Sequence, residues 1–81
     1  MVVSVHFFGF QRKLAGAHKI NIPLIEESKV NDLLGYLKEQ YPDLSLSQDD
    51  FIISVNDLMA RPDQVLKEND VIVILPHIGG G

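Results

Sequence analysis

A single stretch of this chain carries a helical period. Val30, Leu33, Leu34, Leu37 and Tyr41 recur at i, i+3, i+4, i+7 and i+11, which places them on one stripe of an α-helix. Ser28 is positioned as its N-cap. Pro42 ends it, because the residue ahead of a proline is driven out of the helical region. Gly35 falls on the polar side, where glycine weakens a helix by about 1 kcal/mol relative to alanine. One helix with one apolar stripe must bury that stripe against another layer, and the other apolar segments alternate with a period of two. The chain is therefore confined to an α+β arrangement in which one helix lies across one face of a sheet.

The strands follow from that alternation. Residues 1–8, "MVVSVHFF", put Val3, Val5 and Phe7 on an apolar face and His6 and Phe8 on the other. "GFQRKLAGAH" breaks the pattern as a long hairpin connection, and "KINIPL" follows as a second strand with Ile20, Ile22 and Leu24 on one side. Pro23 marks it as an edge strand, since proline cannot donate to a ladder. "FIISV" places Ile53 and Val55 on one face, Asn56-Asp57 makes a turn, "LMA" returns, "RPDQVLKEND" is turn-rich and "VIVIL" is the last strand. The order is β-β-α-β-β-β. A hairpin followed by a helical crossover predicts a mixed sheet with the first and last strands adjacent and parallel. A ferredoxin-like alternative would require a second helix, for which "RPDQVLKEND" is too short and too broken.

With 81 residues the chain reads as one domain spanning 1–81. It has no cysteine, which removes disulfides, thiol catalysis and cysteine-ligated metals. No signal peptide or membrane-length apolar run is evident, and a cytoplasmic location is expected. A formal net charge of −4 argues against nucleic acid and anionic membranes as partners.

One helix covers only one sheet face, so the other face should alternate with polar residues. "VIVIL" does not alternate. If Ile72 and Ile74 face the helix, Val71, Val73 and Leu75 face outward, as does Phe8. Such an apolar patch marks a docking surface, unless a long loop covers it. Beside it the chain ends "LPHIGGG". Glycine is costly to order and has nothing to pack, so this run suits a tail that threads a narrow slot better than a packed end. A frayed terminus has the same composition.

The "FF", Arg12 and "LAG" of the opening, the helix "KVNDLLGYLKEQYP", the "VND" turn and the ending "NDVIVILPHIGGG" together resemble the small subunit of molybdopterin synthase. That subunit belongs to the wider MoaD/ThiS family of ubiquitin-like sulfur carriers, which includes the thiamine-pathway carrier. The likeness spans the chain, and its specific part is the ending: turn, apolar strand, Pro76, two residues, a small residue, then Gly80-Gly81. His77 stands where that family often has proline, and Gly79 fills the small-residue slot.

The resemblance implies a ubiquitin-like β-grasp, a mixed β-sheet packed on one main α-helix, with a flexible Gly-Gly tail over residues 75–81. It also implies that an E1-like adenylating enzyme uses ATP to activate the terminal carboxylate of Gly81, and that sulfur then replaces AMP to leave a thiocarboxylate. Gly79 and Gly80 would thread the tail into the activating enzyme and into the large subunit of molybdopterin synthase or an equivalent sulfur-using enzyme. Phe8, Arg12, Val73, Leu75 and Ile78 are the expected partner-binding residues. The chain is then a sulfur-donating co-substrate and not an enzyme, with no permanently bound cofactor. Carriers for thiamine or amino-acid biosynthesis, and ubiquitin-like protein modifiers, share these features.

Other residues offer less. His6, His18 and His77 include no pair at i, i+4 spacing, so no metal site is expected. Ser4 and Ser54 have no evident base. Glu26, Glu27, Asp49 and Asp50 read as solvated loop acids, and Arg12-Lys13 either meets an acidic partner group or forms a solvated loop tip.

Overall fold

A computed structural model describes residues 1–8, 13, 16, 18–42 and 51–76. Its elements are β1 (Val2–Phe7), β2 (Lys19–Pro23), α1 (Val30–Gln40), β3 (Phe51–Val55), β4 (Leu58–Met59) and β5 (Val71–Pro76). The strands form one mixed sheet in the order β2-β1-β5-β3-β4. β1 pairs antiparallel with β2 and parallel with β5, and β3 is antiparallel to both β5 and β4. The first and last strands are thus adjacent and parallel, as the helical crossover requires. β2 lies at an edge, where the missing N–H of Pro23 does no harm. The second helix of a ferredoxin-like fold is not found: residues 62–70 form turns and one isolated bridge.

Period-two alternation is obeyed in every long strand. Val3, Val5 and Phe7 of β1, Phe51, Ile53 and Val55 of β3, and Ile72 and Ile74 of β5 are buried on one face. Val30, Leu33, Leu34 and Leu37 of α1 pack onto that face, and Ile20, Leu24 and Tyr41 close its margins. The Tyr41 ring meets Phe7 edge-on at 6.2 Å between centroids. Among the described residues, fourteen buried apolar side chains form this core. Leu66, which the alternation of the flanking strands does not reveal, is one of them and is only 2 % exposed.

Leu66 is buried because the segment before β5 crosses the start of α1. Lys29 bridges to Val65, and the Leu66 N–H donates to the Ser28 carbonyl at 2.8 Å. The first helical N–H groups, which no helix can satisfy internally, donate outward: Val30 to the Gln64 carbonyl and Asn31 to the Pro62 carbonyl, both at 2.9 Å. This corrects the expected cap. Ser28 is buried, and its Oγ donates back to the Ile25 carbonyl at 2.8 Å. Lys29 occupies the N-cap position, and its N–H donates to Asp32 Oδ2 at 2.8 Å. With carbonyls supplied by the crossing segment, α1 does not need a hydroxyl there.

At the other end α1 stops at Gln40, and the Tyr41 N–H closes the last turn onto the Leu37 carbonyl ahead of Pro42. Asn56 and Asp57 take φ of 52° and 72°, the left-handed pair of a two-residue hairpin whose twist matches the strands. β5 continues to Pro76, opposite Phe51, so Leu75 and Pro76 belong to the sheet and not to the tail expected to begin at residue 75.

Candidate docking face

The sheet face away from α1 is built by the other half of each alternation. Strand register sorts its side chains into rows across the strands. One row runs through Lys19, His6, Val73, Ser54 and Met59, each opposite the next. The row beyond it pairs Ile52 with Leu75. Phe8, one step past the Phe7–Ile74 pair, continues the parallel register to the far side of Leu75. In the opposite direction lies Asn21, Ser4 and Val71. The face therefore changes along β5 from polar to apolar, and its apolar row, Phe8–Leu75–Ile52, stands where β5 leads toward residues 77–81.

No described residue covers this row completely. Phe8 is 40 % and Leu75 38 % exposed, with Val73 and Ile52 half-buried between their neighbours. His6 is a half-buried outward strand residue, and His18 is exposed in the connection, as read from the sequence. Ile52 and Met59 were not among the expected site residues. Ile52 stands opposite Ile53 in the alternation of "FIISV", but nothing local says that β3 lies beside β5. That pairing alone brings Ile52 to Leu75.

The polar end of the face is fixed by a small network around the buried Asp70. The Asn56 N–H donates to the Val71 carbonyl at 2.8 Å, and the Val71 N–H donates to Asn56 Oδ1 at 2.9 Å. Asn56 Nδ2 donates to Asp70 Oδ1 at 2.8 Å, and the Lys67 N–H donates to Asp70 Oδ2 at 2.8 Å. One asparagine side chain thus extends the β3–β5 ladder past the end of β3, and a buried carboxylate holds it there. Sequence reading placed Asn56 in a turn but gave no partner to Asp70.

Of the expected site residues, the structure brings Phe8, Val73 and Leu75 onto one face. Arg12, His77, Ile78, Gly79, Gly80 and Gly81 lie outside the described residues, as do Asp49 and Asp50. Glu26 and Glu27 are exposed in the turn before α1. No helix among the described residues is long and apolar enough to cross a membrane.

A mixed sheet of this order packed on the helix α1 is the ubiquitin-like β-grasp fold. The ThiS family model matches residues 5–81, and the chain belongs to that family of ubiquitin-like sulfur carriers. No curated protein matches it. Among solved structures it is similar to the Pyrococcus furiosus protein assigned as molybdopterin converting factor subunit 1, at 28 % identity and a TM-score of 0.87, over 94 % of this chain and 97 % of that one. It is similar to a chain of the complex of subunits 1 and 2 of the Helicobacter pylori molybdopterin-converting factor, at 27 % identity and a TM-score of 0.71, over 100 % of both chains. It is also similar to small archaeal modifier protein 1 of Methanosarcina acetivorans, at 26 % identity and a TM-score of 0.81, over 99 % of this chain and 96 % of that one.

Proposed function

We propose that this chain carries sulfur as a thiocarboxylate on Gly81 and donates it in molybdopterin synthesis. The observation that carries this reading is the apolar row Phe8–Leu75–Ile52 at the end of β5 that leads into the glycines. A carrier must dock by a fixed surface while its terminus reaches into its partner, and Leu75 of this surface lies on β5, the last strand before residues 77–81. The docked partner holds the sheet, and Gly79 and Gly80, lacking Cβ atoms, let the walls of a catalytic slot close around the backbone.

A carboxylate is a poor electrophile. An E1-like enzyme would join the Gly81 carboxylate to the α-phosphate of ATP and release pyrophosphate. A sulfur nucleophile would then displace AMP and leave the thiocarboxylate. The chain's own contribution is binding and presentation, which makes it a co-substrate with no resident cofactor. Identity of 27–28 % to two proteins described as molybdopterin-converting subunit 1, one of them in complex with subunit 2, favours that pathway and a large-subunit partner. Carriers for thiamine or amino-acid synthesis use the same chemistry.

The second reading, a protein modifier joined to lysines, rests on the likeness to the Methanosarcina modifier protein. Intact-mass spectrometry of the chain purified from its own cells separates the two. Replacement of one oxygen by sulfur at Gly81 supports the carrier. Conjugates through Gly81 to other proteins support the modifier. A free acid that persists after incubation with the activating enzyme, ATP and a sulfur donor refutes the carrier.

A further inference from the structure

The docking face differs from the rest of the molecule in charge as well as in polarity. Residues 1–25 hold Arg12, Lys13 and Lys19 and no Asp or Glu, a charge of +3. Residues 26–81 hold four Lys or Arg against eleven Asp or Glu, a charge of −7, and the two sum to the −4 of the chain. Of these three cations Lys19 is placed in the sheet, on β2 at the edge beside β1.

The five strands contain no Asp or Glu. Their ionisable side chains are Lys19 and His6, which are opposite one another in the row that continues to Val73. Lys13 and His18, both exposed, belong to the connection between β1 and β2. Among the described residues the exposed carboxylates are Glu26 and Glu27 before α1, Asp32 and Glu39 on α1, Asp57 and Asp63 in turns, and Glu68, which reaches the start of β1, where its Oε2 accepts from the Val2 N–H at 2.8 Å, at the opposite end of β1 from Phe8.

We propose that the open face receives an acidic surface of a partner protein, with Lys19 meeting its carboxylates on the β2 side of the apolar row. The proposal rests on the reading that this face is the docking surface, and it specifies the chemistry of what docks. An acidic partner is attracted to this face and repelled by the carboxylates on the helix and turns. Encounters are thereby oriented before contact, and the apolar row then supplies the affinity. An exposed lysine adds little to equilibrium stability, so its effect belongs mainly in the association rate.

The test is stopped-flow association with the purified adenylating enzyme of the organism that encodes this chain, at several salt concentrations. Wild type should associate more slowly as salt rises, although this chain is itself net negative. Lys19→Glu should slow association by about tenfold at low salt and flatten the salt dependence. Lys38→Glu makes the same change in net charge on exposed α1, and it should alter the rate by less than about twofold because its charge lies on the other side of the molecule. Equal slowing by both variants, or none by Lys19→Glu, overturns the proposal. Leu75→Glu separates it from the reading beneath it. Weakened binding there with a normal Lys19→Glu rate removes the acidic partner surface and keeps the docking face. Normal binding by Leu75→Glu, or no binding by wild type, removes both. Denaturation midpoints confirm that each variant is folded.

Discussion

The two faces of β5 are nearly identical in chemistry and opposite in fate. Ile72 and Ile74 are 0 % exposed, whereas Val71 and Leu75, on the other side of the same backbone, are 39 % and 38 % exposed. Hydrophobicity does not distinguish them. What does is that α1 covers the inner face, so the inner pair is stabilised by packing, while no described residue covers the outer ones completely. Exposed apolar residues are ordinary one at a time, and it is their alignment with Phe8 and Ile52 in one row that supports the docking proposal.

The contrast breaks most severely from the inner side. Leu33→Ala, which truncates a wholly buried side chain of α1, should cost about 2–5 kcal/mol in a denaturant titration. That is a large share of the roughly 5–15 kcal/mol typical of a domain, and a midpoint unchanged from wild type would mean that α1 does not seal the core. On the outer side, Leu75→Glu should leave folding within about 1 kcal/mol of wild type, as surface changes usually do. It should weaken partner binding by about thirtyfold or more, because the partner must desolvate a charge where it had met a methyl group. Unfolding in place of weakened binding would show that Leu75 serves the fold.

Asp70→Ala probes whether the start of β5 helps fix which residues face inward. It removes the acceptor of the Asn56 amide and the Lys67 N–H at a partly buried site, and should cost about 1–2 kcal/mol by thermal or chemical denaturation. No change in stability would mean that side-chain packing alone sets the strand. The smallest effect is expected farthest from either face. Gly35 is exposed on α1, and a Cβ added there meets nothing within 4 Å. Gly35→Ala should therefore raise stability by about 0.5–1 kcal/mol and leave partner binding unchanged.

Periodicity made much of this legible. The helix stripe, the inward residues of β1, β3 and β5, the edge position marked by Pro23 and the outward Phe8, Val73 and Leu75 all follow from local spacing. The residues that escaped depend on chain segments distant in sequence. Leu66 is a lone apolar residue among polar ones until its segment crosses the start of α1. Ile52 joins the docking row only once β3 is known to neighbour β5. Ser28 is a good cap by composition, but carbonyls from residues 62 and 64 satisfy the helix, and the cap position passes to Lys29. The tail glycines were legible as chemistry alone, and they lie outside the described residues.

The parallel pairing of β1 with β5 has a consequence for biogenesis. The central strand, β5, is the last of the described strands, and its parallel neighbour β1 is the first. Until β5 is available, a nascent chain has a hairpin with one bare inner edge and a helix with half its seat missing. Neither can bury enough surface to hold together. Folding is therefore late and non-local, and slower than in helical domains of the same size. A chain stalled before residue 71 presents an unpaired apolar strand to chaperones and to other chains, while a completed one closes that edge with β5.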